Sequence, residues 1–278
     1  MLPILRTIAE FEAWRAARSS VLVPTMGALH AGHAALIRRA AREARQRGLH
    51  AGCLVWIFVN PTQFNSPGDL ARYPRTLDQD ARLCREAGAS AIFAPSADLV
   101  YPPGTTIPTP PLPGVATQPR LEDAFRPGHF AGVCQVVKRM FDLCRPQAAI
   151  FGEKDWQQLA VVLAMVRQER LGVEIIPEPT VREADGLAMS SRNVFLNAAD
   201  RARALAISRA LGSASALTTA PAAEARMREV LASAAITPEY AVVRDAGTLG
   251  QPIDGRPARA LIAAMVGSTR LIDNAAWP

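Results

Sequence analysis

The feature that most constrains the fold of this chain is a short apolar run. It leads through a glycine-containing turn into a long helical pattern. Val21, Leu22 and Val23 form the run, the turn covers 24–33, and helical periodicity extends over 32–48. A strand that passes directly into a helix is half of a βαβ unit, which needs a parallel sheet. The sequence therefore predicts an α/β fold for this part of the chain.

The same alternation of strand-like and helix-like segments continues to about residue 180. Strands are predicted at 21–24, 53–59, 91–94, 148–151 and 173–177, and helices at 32–48, 77–88, 129–145 and 155–170. The proline- and glycine-rich segment 102–119 is predicted to be a loop, either over the site or at a sheet edge. We expect a Rossmann-like N-terminal domain at 1–182 with a parallel sheet.

The character of the sequence changes after residue 182. Alanine- and arginine-rich helical patterns come first, followed by short strand-like runs. The predicted helices are 198–217 and 221–234, and the predicted strands are 240–243, 259–265 and 271–272. This order is typical of a small α+β unit, so a second, smaller domain is predicted at 183–278.

Composition limits the classes of function. No apolar run reaches the roughly 18 residues of a membrane span, and residues 1–6 lack the pattern of a secretory signal. We therefore expect a cytoplasmic protein with no membrane partner and with reduced, packed cysteines. The net charge of +6 is scattered along helices rather than gathered in one block, so small anionic molecules are expected as partners and nucleic acid is not.

The turn at 24–33 contains His30 and His33, which are three residues apart and share one face at the start of a helix. Backbone N–H groups and the helix dipole favour phosphate there, and both imidazoles can become cationic. Gly32 is expected to let a base or ribose approach the backbone. Alternatively, the two histidines cap the helix or pack against neighbouring side chains. Their place at the carboxyl end of a predicted strand favours a nucleotide site.

A second strand, turn and helix start occurs at 151–158. It contains Lys154, one of only two lysines among 31 basic residues; the other is Lys138. An ammonium at this place can contact phosphate oxygens and stabilise the charge of a phosphoryl-transfer transition state. Gln158 lies one helical turn further on, and Asp155 could alternatively be a helix N-cap.

Other polar groups follow apolar strands or turns. Asn60 and Gln63 offer amide donors and acceptors for a carboxylate or hydroxyls, although Asn-Pro also begins ordinary turns. The run at 190–192 combines two hydroxyls with a guanidinium, as a phosphate clamp would, or is simply a loop. Asp78 and Asp80 could reach a hydrated Mg²⁺ or complement a helix dipole.

Seven segments, taken in order, resemble the pantothenate synthetase (pantoate–β-alanine ligase) family: 24–33, 58–64, 73–76, 126–133, 151–158, 185–193 and 268–274. The H-x-G-H element alone is shared with a wider nucleotidyltransferase superfamily. The resemblance implies ATP-dependent ligation of pantoate and β-alanine through a pantoyl adenylate, with release of pyrophosphate and AMP. It further implies a Rossmann-like domain with a smaller C-terminal lid domain, a homodimer, and Mg²⁺ with ATP.

The resemblance also implies roles for individual residues. His30, His33 and Lys154 would be catalytic, with His33 as proton donor and Lys154 on the α- and β-phosphates. Gln63 and Gln158 would hold pantoate, supported by Asn60, and Gln63 would also serve β-alanine. The ATP-binding residues would be Met26, Gly27, Ala28, Leu29, His30, Ala31, Gly32, His33, Gly152, Glu153, Lys154, Asp155, Val181, Met189, Ser190, Ser191 and Arg192, and the metal ligands would be Asp78 and Asp80.

Two other functions are compatible with these motifs. The chain could transfer AMP to a phosphate-bearing acceptor, but the expected acceptor pocket of Asn60, Gln63 and Gln158 is neutral, which favours a small hydroxy acid. It could also be a basic RNA-binding module without turnover, which both histidines and Lys154 argue against. Two positions differ from the family pattern: Asp123 replaces a usual glycine, and Gln79 interrupts an acidic run.

Overall fold

The N-terminal part of the chain forms a six-stranded parallel sheet. The computed structural model describes residues 2–16, 18–64 and 67–278. The strands are β1 (Ile4–Leu5), β2 (Val21–Thr25), β3 (Cys53–Ile57), β4 (Ala91–Phe93), β5 (Ala148–Gly152) and β6 (Glu174–Glu178), in the order β1-β4-β3-β2-β5-β6. The Rossmann-like parallel sheet predicted from the sequence is confirmed. The two-residue β1, at the sheet edge, was not predicted.

Helices cover both faces of this sheet. They are α1 (Ile8–Arg15), α2 (Ala31–Gln46), α3 (Pro67–Arg72), α4 (Leu77–Ala87), α5 (Ala97–Val100), α6 (Glu122–Phe125), α7 (His129–Cys144) and α8 (Trp156–Gln168). One apolar cluster packs α2 and α4 against the sheet, and another packs α1, α7 and α8 against the opposite face. With both faces covered, the central strands are almost continuously apolar, as is usual for parallel sheets.

The strand order places a switch point between β2 and β5. From β2 the chain adds β3 and β4 on one side, and it then returns to add β5 and β6 on the other. β2 therefore pairs in parallel with both β3 and β5, at Val21 with Cys53 and with Ala148. Turns that leave the carboxyl ends of β2 and β5 diverge and leave a crevice between them, where open α/β sheets bind ligands.

The C-terminal part is a three-stranded antiparallel sheet with two helices. It contains α9 (Ala198–Ala214), α10 (Ala220–Ser233), β7 (Pro238–Asp245), β8 (Ala258–Val266) and β9 (Thr269–Trp277), in the order β7-β8-β9. A separate apolar core of mostly small side chains joins the helices to this sheet. The predicted order of helices and then strands is confirmed, but β9 is much longer than the predicted 271–272. The predicted domain boundary at 182/183 lies between β6 and α9 and stays a prediction.

The proline-rich segment 102–119 contains one short 3₁₀ turn, Gly114–Ala116, and is otherwise irregular. Side chains of α7 and α8 bond its carbonyls: Gln135 donates to Ile107 at 2.6 Å and Gln168 to Pro111 at 2.8 Å. The loop thus packs against these two helices. All four cysteines are buried and unbridged, as expected. No helix in the described ranges is long and apolar enough to cross a membrane.

Candidate active site

A cleft opens where the turns after β2 and β5 diverge. It brings together most of the residues that the sequence pointed to, from segments spread over more than 160 positions. The predicted residues that line it are Met26, His30, Gly32, His33, Asn60, Gln63, Gly152, Lys154, Asp155, Gln158, Val181, Met189, Ser190, Ser191 and Arg192.

The turn between β2 and α2 is fixed by the carboxylate of Asp80. Gly27 and Ala28 both have left-handed backbones, with φ of 86° and 51°. The Asp80 carboxylate accepts hydrogen bonds from the N–H groups of Ala28 (3.2 Å) and Leu29 (2.8 Å) and from the Thr76 hydroxyl (3.2 Å). Asp80 is 2% exposed. Charge-assisted bonds in such a buried place are strong, so Asp80 determines the shape of the turn.

His30 and His33 cap the start of α2 reciprocally. The Gly32 N–H donates to Nδ1 of His30 at 3.1 Å, and the His30 N–H donates to Nδ1 of His33 at 3.3 Å. The two ring centroids are 4.2 Å apart. Because each Nδ1 accepts an N–H, each neutral imidazole must carry its proton on Nε2. This helix start therefore supplies two imidazole N–H donors to the cleft.

Both imidazoles stay neutral at pH 7. Burial, which is the largest cause, and the neighbouring His30 and Lys154 together lower the pKa of His33 to about 3, although the Asp155 carboxylate acts in the opposite direction. Burial also lowers the pKa of His30, followed by the positive charge of Lys154. The sequence allowed these imidazoles to become cationic, but the lowered pKa values favour the neutral form, in which each ring is an N–H donor.

Two further details of this turn differ from the sequence-based interpretation. The N–H groups of Ala28, Leu29, His30 and Gly32, which were expected to bind phosphate, donate instead to Asp80 and the imidazoles. A Cβ at Gly32 would lie 2.9 Å from the His30 ring. Gly32 thus makes room for the His30 ring, which the sequence did not indicate, and its predicted contact with a base or ribose stays a prediction.

Asp78 and Asp80, the predicted magnesium ligands, lie in different surroundings, and their contact with Mg²⁺ stays a prediction. The two residues are two positions apart on α4, so their side chains diverge. Asp78 is exposed, Asp80 is engaged with the β2–α2 turn, and neither lines the cleft. Within the part of the chain that the structure describes, no group of three or more histidine, cysteine or acidic side chains could hold a metal ion.

The turn between β5 and α8 carries Lys154. Residues Glu153–Asp155 form a 3₁₀ turn, and Asp155 makes no side-chain cap to α8. The Lys154 Nζ lies 3.8 Å from Oδ2 of Asp155, and both residues line the cleft. Burial alone would raise the pKa of Asp155, but the charges of Lys154 and Arg192 lower it below its usual value. The turn therefore presents an ammonium beside an ionised carboxylate.

Five of the residues predicted to bind ATP do not line the cleft: Gly27, Ala28, Leu29, Ala31 and Glu153. The first three shape the turn that Asp80 holds, and Ala31 is exposed at the start of α2. The Glu153 carboxylate accepts a hydrogen bond from Arg259 at 2.6 Å, so it faces the C-terminal sheet.

The amide groups at the end of β3 are ordered by a chain of hydrogen bonds. The Tyr101 hydroxyl donates to Oδ1 of Asn60 at 2.8 Å, and Nδ2 of Asn60 donates to Oε1 of Gln63 at 2.9 Å and to the Gly132 carbonyl at 3.2 Å. The carboxamide oxygen of Gln63 is thus occupied, and its NH₂ group is oriented as a donor. Nδ1 of His129 lies 3.3 Å from the carbonyl of Gln63 and supports the same turn.

The sequence motifs did not include Tyr101, whereas His129 lies in segment 126–133, which supports the family resemblance. Tyr101 lies just after α5 in a segment without polar periodicity, and nothing in its spacing indicates that it reaches Asn60, 41 positions away. His129 is the first residue of α7, and burial lowers its pKa to about 4. Tyr101 contacts the side-chain amide of Asn60, and His129 contacts the backbone carbonyl of Gln63.

The C-terminal sheet lines a pocket that adjoins the cleft, in which residues 268–273 share the lining with Gln63, Lys154 and Asp155. Arg270 on β9 makes two hydrogen bonds to the Glu122 carboxylate, at 2.6 and 2.8 Å, and the Tyr240 hydroxyl donates to it at 2.8 Å. Burial would raise the pKa of Glu122, but the guanidinium of Arg270 holds it below its usual value. These contacts join the two parts of the chain by a buried ion pair.

The chain is thus a Rossmann-like α/β protein with a cleft at the H-x-G-H helix start. The family model described as Pantoate-beta-alanine ligase matches residues 3–276. The chain therefore belongs to the pantoate–β-alanine ligase family and is a ligase of that family.

Individual relatives agree with this assignment. The pantothenate synthetases of Rubrobacter xylanophilus and Paracoccus denitrificans are each 48% identical, over 95% and 99% of this chain and 94% and 98% of their own. A pantothenate synthetase structure from Thermus thermophilus aligns over all of both chains, with a TM-score of 0.89 and 39% identity. The Francisella tularensis ligase, crystallised with "Beta-gamma ATP and Beta-alanine", covers 99% of this chain and 98% of its own, with a TM-score of 0.81 and 31% identity.

Proposed function

We propose that the cleft joins pantoate to β-alanine in two steps, with ATP as the energy source and pantoyl adenylate as the intermediate. One observation carries this proposal: His30, His33 and Lys154, which suit phosphates, share a single cleft with the neutral amides of Gln63 and Gln158. The Francisella tularensis relative, crystallised with an ATP compound and β-alanine, supports the same pair of substrates.

In the first step a carboxylate oxygen of pantoate attacks the α-phosphorus of ATP. The new O–P bond forms as the bond between that phosphorus and the bridging oxygen breaks, and pyrophosphate leaves with the electron pair. A carboxylate is already nucleophilic at pH 7, so the protein needs to position the reactants and stabilise charge. Lys154 supplies positive charge, and the imidazole N–H groups of His30 and His33 supply donors.

In the second step the β-alanine amine attacks the acyl carbon of the adenylate. A C–N bond forms, the C–O bond to AMP breaks, and the amine loses a proton as AMP departs. The oriented NH₂ group of Gln63 is a donor for pantoate oxygens. The neutral amides avoid adding charge that would compete with the phosphates.

ATP is expected to bring Mg²⁺ with it, because this ion is usually held by phosphate oxygens and waters. We further propose a homodimer located in the cytoplasm, as the resemblance implies. Light scattering of the purified protein would test the dimer, with a mass near 60 kDa expected from the 29.8 kDa chain.

The first experiment follows pyrophosphate and AMP release from Mg²⁺-ATP. With pantoate alone we expect about one pyrophosphate per site, and with β-alanine added we expect steady turnover with AMP and pantothenate. If pantoate never causes pyrophosphate release, the proposal is wrong, and phosphate-bearing acceptors become the substrates to test.

The chain offers a matched control for the lysine, because it has only one other. Lys154→Ala is expected to slow pantoate-dependent pyrophosphate formation about 100-fold or more. Lys138→Ala removes a lysine that pairs with Asp142 on the surface of α7 and is expected to leave the rate unchanged. Equal rates for the two variants would remove Lys154 from the mechanism. His33→Ala is expected to slow the same step about 100-fold.

A further inference from the structure

Asn274 of β9 makes a two-pronged contact with the turn that carries Lys154. Its Nδ2 donates to the carbonyl of Glu153 at 2.9 Å and to the carbonyl of Lys154 at 2.8 Å. Asn274 is only 3% exposed. Two peptide carbonyls, one on each side of the Lys154 Cα, are thus held by a single side chain from the C-terminal sheet.

A neighbouring arginine fixes the orientation of this amide. Nε of Arg259 on β8 donates to Oδ1 of Asn274 at 2.6 Å, so the NH₂ group must face the two carbonyls. The same guanidinium pairs with the Glu153 carboxylate at 2.6 Å and lies 3.5 Å from the Trp156 ring centroid. Arg259 and Asn274 thus contact Glu153, Lys154 and Trp156.

The turn has little of its own to hold it in this shape. It is a three-residue 3₁₀ turn, and neither Gly152 nor Asp155 provides a side-chain cap. Peptide planes on both sides of a Cα determine the direction of its Cα–Cβ bond. The positions of these two carbonyls therefore determine where the Lys154 ammonium lies. A displacement of about 1 Å at a reacting group can cost roughly 100-fold in rate.

We propose that Asn274 is a positioning residue for Lys154, and that the lysine is in place only while the C-terminal sheet is docked. The inference rests on the proposed role of Lys154 in adenylation. Asn274 touches no reacting atom and acts through the backbone of the turn. Arg259 secures Asn274 in the required orientation.

Asn274→Asp is the sharpest variant. It keeps the shape of the side chain and an oxygen for Arg259, but it places an oxygen without a proton against two carbonyls. We expect the kcat of pantoate-dependent pyrophosphate formation to fall 10- to 100-fold. The KM for pantoate should stay within twofold, since Asn60, Gln63 and Gln158 are untouched. Asn274→Ala, which introduces no repulsion, is the second variant if the first fails to fold.

A double-mutant cycle separates this inference from the role of Lys154. If Asn274 acts through the lysine, Asn274→Asp in a Lys154→Ala background should change the residual rate less than twofold. If Asn274→Asp lowers the rate of the Lys154→Ala variant as much as it lowers that of the wild type, the inference is overturned and the lysine's role stays intact. If Lys154→Ala alone does not slow adenylation, the proposed function of the lysine fails instead.

Tyr240→Phe is the matched control for docking of the C-terminal sheet. It removes a hydrogen bond to Glu122, which joins the two parts of the chain. It does not touch the turn of residues Glu153–Asp155, which we call the lysine turn. We expect its kcat to stay within twofold of the wild type. If Tyr240→Phe lowers kcat as much as Asn274→Asp at the same loss in Tm, the effect is general loosening, and the positioning role is wrong.

Discussion

The two turns that form the cleft have the same strand-turn-helix architecture but are held in different ways. The segment 24–33, which leads from β2 into α2, contains His30 and His33, and we call it the histidine turn. It is shaped within the N-terminal part, by reciprocal imidazole caps and by the Asp80 carboxylate. The lysine turn after β5 is held by Asn274 and Arg259 of the C-terminal sheet. Among the hydrogen bonds of the described residues, those that hold the neutral donors come from the N-terminal part, whereas those that hold the backbone around Lys154 come from the second part of the chain.

The largest effect is expected from removing the carboxylate that holds the histidine turn. Asp80→Ala leaves the N–H groups of Ala28 and Leu29 without a partner in a buried place, so the free energy of unfolding should fall by about 3 kcal/mol. Urea unfolding measures the loss. The control is Asp78→Ala on the same helix, with a change within about 0.5 kcal/mol. Similar losses for both variants would show that Asp80 is not the anchor.

The contact between the two parts of the chain can be weakened away from the lysine turn. Glu122→Gln removes the charge that Arg270 and Tyr240 bond, and breaking this buried ion pair should cost about 2 kcal/mol. Glu229→Gln removes an exposed pair with Arg226 on α10 and should cost at most about 0.5 kcal/mol. Denaturant unfolding compares them. Equal costs would mean that the buried pair contributes no more than a surface one.

A backbone change tests the strain in the histidine turn. Gly27 has φ of 86°, and a Cβ there would lie 3.2 Å from Oδ2 of Asp80 and 3.3 Å from Cγ2 of Ile57. Gly27→Ala should lower the free energy of unfolding by about 2 kcal/mol. Ala28→Gly, at the next left-handed position, should have no cost or a small gain. Thermal unfolding of the two variants measures the difference. An equal loss of stability in both variants would contradict this account.

The smallest effect concerns pH and the neutral histidines. His33 stays neutral in the folded state down to about pH 3, whereas an unfolded histidine takes up a proton near pH 6.5. The unfolded state therefore binds more protons below pH 6.5, and stability falls as the pH falls. His33→Gln should reduce the loss between pH 7 and 5.5 by about 1 kcal/mol. The same change at exposed His50 is the control, and an identical pH dependence in both variants would be evidence against a neutral His33.

The strands of the sheet were predictable because each is a short apolar run between turns. β2 to β6 were found this way, since strands buried on both faces carry little else. The two residues of β1 are too few to show the pattern of apolar side chains that identifies a strand. β9 was underestimated because Asp273 and Asn274 interrupt its apolar pattern, and both are buried there by partners outside the strand.

The site was predictable where its residues follow a strand end, as His30, Gln63 and Lys154 do. The hydrogen bonds of Asp80 to the histidine turn were not predicted, because these partners lie about 50 positions earlier and local spacing cannot show such a bond. Asn274 belongs to a segment that supported the family resemblance, but its contact spans 120 positions. Sequence patterns thus locate the groups that line the cleft better than the groups that hold those residues in place.

The reach of Asn274 to the lysine turn also sets an order of assembly on the ribosome. Chains emerge from the amino end, and units fold as they emerge. The hydrogen-bond partners described for the histidine turn are all present once Asp80 has been made, whereas the lysine turn waits for nearly 200 further residues before Asn274 is made. We expect a nascent chain to acquire its imidazole donors early and its placed ammonium last.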